Sequence, residues 1–401
     1  MIDQIVASLG RRTDLIGWTV RRELVHGTQL YAAAGRIEAE RRTREERYDL
    51  AVVCPTSFPD GSNGCGTGQA TILPGEPVDP AIARAVEMAS RVHNPLHGLH
   101  GPSPLPDVPL EERDLVERPA ERLREAHEHL TTLASAEARV RLTAAEWHAQ
   151  TVETQLVNSR GQEGSQRETR LGLEWVLVMG EGNDRAEGFR ERSLRRLDDL
   201  AMEQEFESLT RETHDRQRAG AAPAWDGPVV VRDRILAGYV DSETVRFLSS
   251  AANRYAKLSS WDIGEEVAPR NDQGEPLTVW ANRILPYGIQ STRFDEEGIP
   301  GRRLLLIQDN RLVAFWAPQR YAEYLNIPAT GEFGNVELPP GSRPEAELLT
   351  PPYVEIAGFS WFNPDPVTGD FATEIRLGYV VEGDSRRPFR GGLLIGNLLE
   401  S

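Results

Sequence analysis

Hydrophobic and polar residues alternate over long stretches of the chain, and alternation of this kind is typical of β-strands with one buried face. In the first 55 residues, after a short amphipathic start, the stretches with this pattern are WTVRRELV, QLYAAAGRIEAERR and YDLAVVCPTS. A second alternating region from Ala138 to Arg192 predicts an antiparallel meander, with residues 158–161 (NSRG) as its tight turn. Strands should therefore dominate both regions.

Apolar residues at helical spacing are confined to a few segments. Asp79 and Pro80 supply an N-cap and first-turn signal for the first of these segments, residues 79–93. Asp241 or Ser242 would cap the last segment, residues 242–255. The predicted helices are residues 79–93, 110–134, 202–219 and 242–255.

Proline and glycine divide the chain. HNPLHGLHGPSPLPDVP (93–109) contains both at a density that permits neither a helix nor a strand ladder, which predicts a long loop. The segment AGAAPAWDGP indicates a connection near residues 220–227. Beyond it a short apolar strand (PVVVRD) and the last helix precede strands and turns, with hairpin turns expected near 309–310 and 383–384. The sequence therefore predicts an α+β fold with a mixed α/β N-terminal domain (1–222) and a β-rich C-terminal domain (223–401).

Length and charge narrow the range of functions. A chain of 401 residues is expected to form two domains, and its formal net charge of −17 does not suit a surface that must bind phosphates. Nucleic acid and anionic membrane are thus disfavoured as partners, and a peptide or protein is favoured. The sequence has no run of roughly eighteen apolar residues and no start of signal-peptide type, so a cytoplasmic protein is expected.

Three histidines of the Pro-rich loop are candidate metal ligands. His93, His97 and His100 are spaced by four and three residues, which on a helix would bring three imidazoles to one face. Pro95 and Gly98 lie between them and break that helix. Exposed loop histidines are the favoured interpretation, and an independent enzyme with a metal at these residues is a minor alternative.

Two other histidine segments have simpler explanations. His127 and His129 lie in a predicted helix, but side chains two residues apart point about 200° apart and cannot share a metal. A solvated helix face is the favoured interpretation. His148 follows Trp147 in an alternating strand, where it should point outward or make one hydrogen bond.

The glycine-rich segment 60–69 (DGSNGCGTGQ) superficially resembles a phosphate-binding loop. It lacks the Gly-Lys-Ser/Thr ending that would supply a positive charge and a magnesium ligand, so a flexible loop is predicted. The two cysteines, Cys54 and Cys65, are expected to be free thiols. Cys65 could act as a nucleophile only with a base nearby.

Three polar glycine turns in the second half carry the most specific signal: residues 293–300 (RFDEEGIP), 330–335 (TGEFGN) and 368–371 (TGDF). In order and spacing, together with the closing LGYVVEGD and GNLL, they resemble the C-terminal domain of the TldD/PmbA family, once called modulators of DNA gyrase. The resemblance implies that these turns line a chamber or contact a partner. The residues concerned are Asp295, Glu297, Gly298, Gly331, Asn335, Gly369, Asp370 and Phe371.

The resemblance also implies a soluble metallopeptidase built from two related subunits. The TldD-type subunit of this family holds zinc on a His-Glu-x-x-x-His helix that follows the apolar strand. Here residues 241–253 (DSETVRFLSSAAN) stand in that place with one Glu and no imidazole, and no His or Cys occurs from Asp215 to Ser401. Catalytic zinc needs at least three N, S or O ligands from the protein. The resemblance therefore implies the metal-free PmbA type, also called TldE, with no catalytic or metal-binding residue and no cofactor of its own.

The expected function is that of a non-catalytic subunit of a heterodimeric zinc metallopeptidase, with zinc on a TldD-like partner. Its substrates would be flexible peptides, as in leader-peptide removal from a modified peptide natural product or degradation of small unfolded proteins. The alternative is a stand-alone peptide-binding or assembly protein without enzymatic activity.

Overall fold

The computed structural model describes residues 1–232, 235–237, 243–267 and 274–400. Three β-sheets with helices packed on them confirm the α+β fold. The helices are α1 (Ile2–Gly10), α2 (Val78–Ser90), α3 (Arg113–Glu117), α4 (Pro119–Ala136), α5 (Met202–Arg218), α6 (Glu243–Leu248), α7 (Ala251–Tyr255), α8 (Gln319–Leu325) and α9 (Glu345–Leu348).

The strands follow the same chain order. In the first half they are β1 (Gly17–Ala33), β2 (Arg36–Ser57), β3 (Asn63–Ile72), β4 (Arg141–Asn158), β5 (Glu163–Met179) and β6 (Ala186–Leu194). In the second part they are β7 (Gly220–Ala221), β8 (Val229–Val231), β9 (Val279–Asn282), β10 (Arg303–Gln308), β11 (Arg311–Leu312), β12 (Asn335–Glu337), β13 (Tyr353–Phe359), β14 (Asp370–Glu382), β15 (Ser385–Arg390) and β16 (Leu393–Asn397).

The N-terminal sheet has the strand order β3-β2-β1-β4-β5-β6, and each pair is antiparallel. The predicted meander is confirmed as β4–β5–β6. Its first turn lies at the expected residues, where the Asn158 side chain accepts hydrogen bonds from the N–H groups of Arg160 and Gln162. The three stretches predicted near the N-terminus form only two strands, because the chain reverses once, at Ala34 and Gly35, both with positive φ.

The glycine-rich segment is mainly a strand, so the prediction of a flexible loop over 60–69 was wrong. β3 packs directly under α2, and a Cβ atom at Gly66 or Gly68 would lie 1.8 Å from the carbonyl oxygen of Ala89 or Ala85. Glycine is present because helix and strand backbones touch here. These glycines occupy every second position, the period of a strand, which is a signal that could have revealed their role.

The predicted helices are present with altered boundaries. α2 begins at Val78 with Pro77 as its N-cap, so Asp79 lies in the first turn and does not cap the helix. The 110–134 prediction becomes α3 and α4, since Arg118 precedes a proline and leaves the helical conformation. α5 confirms the 202–219 prediction. The 242–255 prediction becomes α6 and α7, and its proposed caps Asp241 and Ser242 lie outside the described residues.

His127 does not lie on a solvated helix face, as predicted, but in the core. It is buried under the N-terminal sheet, where its Nδ1 accepts a hydrogen bond from Trp147 Nε1 at 3.3 Å and its Nε2 lies 3.1 Å from the Gly35 carbonyl oxygen. Trp147 stacks on Trp175 at the centre of this core. His148, the next residue of β4, contacts Glu146 as expected for an outward position.

The second part of the chain forms two smaller sheets. One has the order β11-β10-β9-β12, and the other has the order β7-β15-β14-β13-β8 with β16 beside β14. The predicted hairpin turns are confirmed, with positive φ at Asp309, Asn310 and Gly383. The Tyr379 hydroxyl of β14 donates a hydrogen bond to the Asp215 carboxylate of α5 at 2.8 Å, so the last N-terminal helix is fixed on the C-terminal sheet.

Candidate functional site

The Pro-rich loop lies between the two halves of the chain. Residues 93–109 contain no regular helix or strand, as predicted, and residues 110–112, predicted to be helical, also lack one. The Gly98 N–H donates to a Glu323 carboxylate oxygen of α8 at 2.8 Å, and the Tyr324 hydroxyl donates to the Pro95 carbonyl at 2.8 Å. On the other side, Asn158 Nδ2 donates to the His100 carbonyl at 2.8 Å. The loop thus connects the β4–β5 turn with α8.

The three loop histidines do not converge. His93 is exposed beside Phe58, and His100 Nδ1 lies 3.2 Å from the side-chain oxygen of Gln319. His97 is buried, and burial lowers the pKa of its imidazole. The prediction of exposed loop histidines is therefore wrong for His97, because the loop folds under α8, a contact between residues distant in sequence.

Cys65 has a potential base beside it. Its Sγ atom lies 3.1 Å from His97 Nδ1, a proximity that the sequence could not show. Cys65 is nevertheless fully buried beneath the loop, so a substrate cannot reach the thiol. Both cysteines are free thiols, as predicted. The pair packs the loop onto β3 and is not a nucleophilic site.

Residues 293–300, called the Asp295 turn below, form a rigid acidic turn. The Asp295 Oδ1 atom accepts hydrogen bonds from the N–H groups of Glu297 (3.0 Å) and Ile299 (2.9 Å). Its Oδ2 atom lies 3.3 Å from Arg283 Nη1, and both side chains are buried. Gly298 has a φ of +83° and closes the turn. The carboxylate of Asp295 is therefore fully used in holding the turn.

A cavity of about 200 Å³ lies between this turn and the N-terminal sheet. Several of its charged groups form ion pairs: Arg195 Nη1 lies 3.1 Å from Glu168 within the N-terminal half, and Arg21 Nη1 lies 3.4 Å from Glu296 of the C-terminal half. No imidazole or thiol is among its described lining residues. The cavity is therefore an ion-paired junction between the two halves. Its charged lining residues are Arg21, Arg170, Arg195, Arg283, Glu168, Asp295, Glu296 and Glu332.

Glu297 lies on the side of the turn that faces α8. Burial raises the pKa of Glu297 to about 7, and the neighbouring carboxylates of Asp295 and Glu332 add to the rise. The N–H of Gln319, which donates to Glu297 at 2.6 Å, and the Arg320 guanidinium oppose it. Glu297 therefore binds a proton near neutral pH when the chain is folded.

We expect Glu297→Gln to remove a pH dependence of stability. A carboxyl group with a raised folded-state pKa stabilises the protein at low pH, and this contribution is lost as the pH rises from about 4.5 to about 7. From pH 5 to pH 8 the free energy of unfolding of the variant should therefore rise by about 2 to 3 kcal/mol relative to that of the wild type. Urea unfolding at both pH values measures this difference.

The matched control is Glu296→Gln, because Glu296 is the adjacent exposed carboxylate. The free energy of unfolding of Glu296→Gln should stay within about 0.5 kcal/mol of the wild-type value at both pH values. If the free energy of unfolding of Glu297→Gln also stays this close to the wild-type value at both pH values, the raised pKa assigned to Glu297 is contradicted.

A larger cleft of about 690 Å³ opens beside this junction. Ser193 and Leu194 of β6 lie on one side, and Asn335 and Val336 of β12 lie on the other. β6 and β12 are each the last strand of their sheet among the described residues. The outward N–H and C=O groups of such edge strands can pair with an added strand. The cleft can therefore bind an extended peptide through its backbone.

The structure brings together five of the eight predicted turn residues. Asp295, Glu297 and Gly298 form the acidic turn, and Gly331 adjoins it, since a Cβ atom there would lie 2.6 Å from Asp295 Oδ2. Asn335 lies at the cleft, where its Oδ1 accepts a hydrogen bond from the Gln290 N–H at 3.0 Å. The other three lie elsewhere, in the turn before β14 and in its first two residues, which pair with β16: Gly369, Asp370 and Phe371.

Comparison with known proteins identifies the family of the C-terminal part of the chain and the fold of the whole chain. Residues 226–401 match the model of the PmbA/TldA metallopeptidase C-terminal domain. A candidate modulator of DNA gyrase from Thermotoga maritima has a similar structure (TM-score 0.82, 18% identity, 99% of this chain and 91% of that chain). TldE from Thermococcus kodakarensis is also similar (TM-score 0.83, 16% identity, 100% of this chain and 92% of that chain). Residues 226–401 therefore belong to the TldD/PmbA family, and the whole chain has the fold of these solved structures.

A candidate modulator of DNA gyrase from Bacteroides thetaiotaomicron also has a similar structure (TM-score 0.78, 15% identity, 99% of this chain and 89% of that chain). At these identities the structural likeness establishes the fold. An uncharacterised protein of Methanocaldococcus jannaschii is 26% identical over 194 residues. That match spans 45% of this chain and 45% of the relative, less than half the length of either.

The described part of residues 241–253, the segment for which the sequence resemblance implies the position of the family's metal-binding helix, is not one continuous helix. α6 ends at Leu248 and α7 begins at Ala251, with Ser249 and Ser250 between them. Among the residues that the structure describes, no group of three or more His, Cys, Asp and Glu side chains is placed to hold a metal ion. In the same residues, no helix is long and apolar enough to cross a membrane.

Sequence reasoning missed the arginines of the junction. Arg195 and Arg283 are buried at 2% exposure each, although arginine at an unpaired position is normally expected on the surface. Arg283 follows an ordinary apolar strand, and Arg195 follows β6 in an arginine-rich segment. No local pattern distinguishes them from exposed arginines, because their partners lie far away in the sequence.

Proposed function

We propose that this chain is the non-catalytic TldE/PmbA-type subunit of a heterodimeric zinc metallopeptidase that cleaves flexible peptides. The observation that carries the proposal is the segment 241–253, which stands in the place of the family's metal-binding helix and offers one Glu, Glu243, and no imidazole. Its described part consists of two short helices, so it also lacks the continuous helix on which neighbouring ligands would align.

In the complex, a zinc ion on the TldD-type partner would polarise the peptide carbonyl and activate water. This chain's residues would enclose the chamber and hold the substrate. The β6 and β12 edges on either side of the 690 Å³ cleft would pair with an extended peptide backbone. Backbone pairing does not depend on side-chain identity and therefore suits flexible segments of varied sequence.

The substrate classes we propose are leader segments of modified peptide natural products and small unfolded proteins. Both supply extended backbone to a strand edge, and both are accessible to a cytoplasmic enzyme. An acidic chain with a net charge of −17 is consistent with peptide partners and disfavours nucleic acid.

Co-purification tests the subunit proposal. The tagged full-length chain is recovered from its source organism, and its partners, zinc content and peptidase activity are measured. We expect a stoichiometric partner with a His-Glu-x-x-x-His segment, zinc bound to that partner, and activity only when both chains are present. Full activity of the partner alone, or zinc-dependent activity of this chain alone, would refute the proposal.

A second candidate function is that of a stand-alone peptide-binding or assembly protein. The observation that favours it is the pair of edge strands at the cleft. These edges would bind peptide whether or not a catalytic partner exists. Recovery of the chain without a partner, with peptide affinity and no peptidase activity, would establish this second function.

We expect Ile289→Asp to weaken peptide binding in the cleft. Ile289 lines the cleft with its side chain 43% exposed, so the substitution should not disturb a core. The charge would have to be desolvated when a peptide covers it, and the Kd for an extended peptide should rise about tenfold or more. Fluorescence anisotropy with a labelled unfolded peptide measures this Kd.

The control is Ile263→Asp, because Ile263 is similarly exposed, at 48%, and is not a lining residue of the cleft. Its Kd should equal that of the wild type. Equal Kd values for the two variants would place peptide binding elsewhere.

A further inference from the structure

A second cleft lies on the other side of the N-terminal sheet edge. It measures about 790 Å³ and lies between β6 with α5 and the bulged region of β13 with β14. One wall is apolar: Phe189 is 47% exposed, and Ile235 and Phe359 are partly buried beside it. An exposed phenylalanine over two further apolar side chains can accept an apolar group.

The rest of the cleft is basic, in contrast to the acidic chain. Four arginines and two glutamates line it, although the chain as a whole carries a net charge of −17. A local excess of positive charge attracts anions. The charged lining residues are Arg185, Arg216, Arg376, Arg390, Glu187 and Glu374.

Arg216 lies at the base of the cleft with its positive charge poorly compensated. Its side chain is 21% exposed, and its nearest carboxylate, Glu212, lies 3.9 Å from Nη2 and also pairs with Arg190 at 3.1 Å. Burial lowers the pKa of Arg216, and the nearby Arg190 and Arg376 lower it further. The Arg216 Nε atom is buried without a hydrogen-bond partner in the described structure.

The arginines at the rim are available to a ligand. Arg390 is exposed and has no ion-pair partner among the residues that the structure describes. Arg376 is exposed and lies 3.2 Å from Glu374, its neighbour on the same strand face. Exposed pairs of this kind contribute little and are readily exchanged for a better-oriented carboxylate.

We propose that this cleft binds the C-terminal residue of a peptide, with its carboxylate on Arg216, Arg376 and Arg390. Its apolar side chain would contact Phe189. Guanidinium groups bind carboxylates through paired hydrogen bonds, and the adjacent β6 edge can align the preceding backbone. The peptide nature of the ligand rests on the proposed function, whereas carboxylate binding can be measured on the isolated chain.

Three labelled hexapeptides of otherwise identical sequence test this inference by fluorescence anisotropy. The first ends in leucine with a free carboxylate, the second is its C-terminal amide, and the third is an amide with one internal glutamate. We expect the free acid to bind about tenfold more tightly than either amide. Equal affinity of the free acid and the simple amide would refute carboxylate binding. Equal affinity of the free acid and the glutamate peptide would refute the C-terminal assignment and identify an acidic side chain as the ligand.

The variants Arg376→Gln and Arg390→Gln test the location without disturbing buried groups. Each should weaken binding of the free acid about tenfold and leave binding of the amide unchanged. Arg387→Gln is the control, since Arg387 is an exposed arginine on β15 that pairs with Glu382 and is not a lining residue. Rim variants that behave like this control would refute the site. Because no partner or zinc is needed, the result is independent of the co-purification experiment.

Discussion

Replacing Arg195 with leucine should lower the free energy of unfolding by about 3 to 5 kcal/mol, because the change leaves several carbonyls without their donor and a buried carboxylate, Glu168, with Arg170 as its remaining partner. The Arg195 guanidinium, 2% exposed, lies 3.1 Å from Glu168. It also donates to the carbonyls of Gly288 (2.8 Å), Ile289 (3.1 Å) and Ser291 (2.8 Å) in the C-terminal half. One side chain of the N-terminal half thus holds a loop of the other half.

Urea unfolding followed by tryptophan fluorescence measures this loss. Arg139→Leu is the matched control, because Arg139 is an exposed arginine paired with Glu137, and its replacement should leave the urea midpoint close to that of the wild type. The double variant Arg195→Leu/Glu168→Leu should be more stable than Arg195→Leu, since it also removes the buried carboxylate that has lost its Arg195 partner. Similar stability of Arg195→Leu and the Arg139 control would contradict the role assigned to Arg195.

Replacing Gly68 with alanine should destabilise the N-terminal sheet by about 3 kcal/mol or more. The new Cβ atom would lie 1.8 Å from the Ala85 carbonyl oxygen and 2.8 Å from the Ala89 N atom. Both atoms belong to the α2 backbone, so no side-chain rotation can relieve the contact. α2 would have to move away from β3 and lose part of its packing against Ile72 and Leu50.

Gly10→Ala is the control for this substitution. Gly10 is the last residue of α1, and a Cβ atom there would have no neighbour within 4 Å. Alanine should leave the stability within about 1 kcal/mol of the wild type, with any change in the stabilising direction. If Gly68→Ala unfolds at the same urea concentration as Gly10→Ala, the close approach of α2 and β3 is incorrect.

The two clefts beside β6 differ in the chemistry of their lining residues. The one beside β12 offers two strand edges and an apolar lining, which suits an extended backbone of any sequence. The one beside α5 offers arginines and an exposed phenylalanine, which suits a terminal residue. Both contain residues of β6, so a peptide paired along this strand could reach either cleft. The variants at Ile289 and Arg390 distinguish binding in the two places.

Much of the fold could be predicted because local pattern and tertiary environment agree. The alternation from Ala138 to Arg192 specifies strands with one buried face, and the turn at 158–161 has the residues that its backbone requires. The three polar glycine turns carried the family resemblance, which the domain match supports. The role of these turns as chamber or partner contacts stays a prediction.

The candidate site was predictable only in part, because its contacts join residues that are distant in sequence. The Asp295 turn and Gly331 were found from their local composition, but the cavity beside them depends on Arg195 and Glu168. No local signal separates a buried arginine from an exposed one. The three turns themselves lie in two places, since Gly369 belongs to a different sheet edge.

The sequence by itself determined the α+β class, most strands, the free thiols and the absence of His and Cys beyond His214, since these follow from residue types and local periodicity. Only the tertiary structure decided that His97 and His127 are buried, that the 60–69 segment contains a strand under α2, and that arginines connect the two halves. The physical reason is that burial and ion pairing depend on which distant segment covers a residue. Strand alternation shows that one face is covered without showing what covers it.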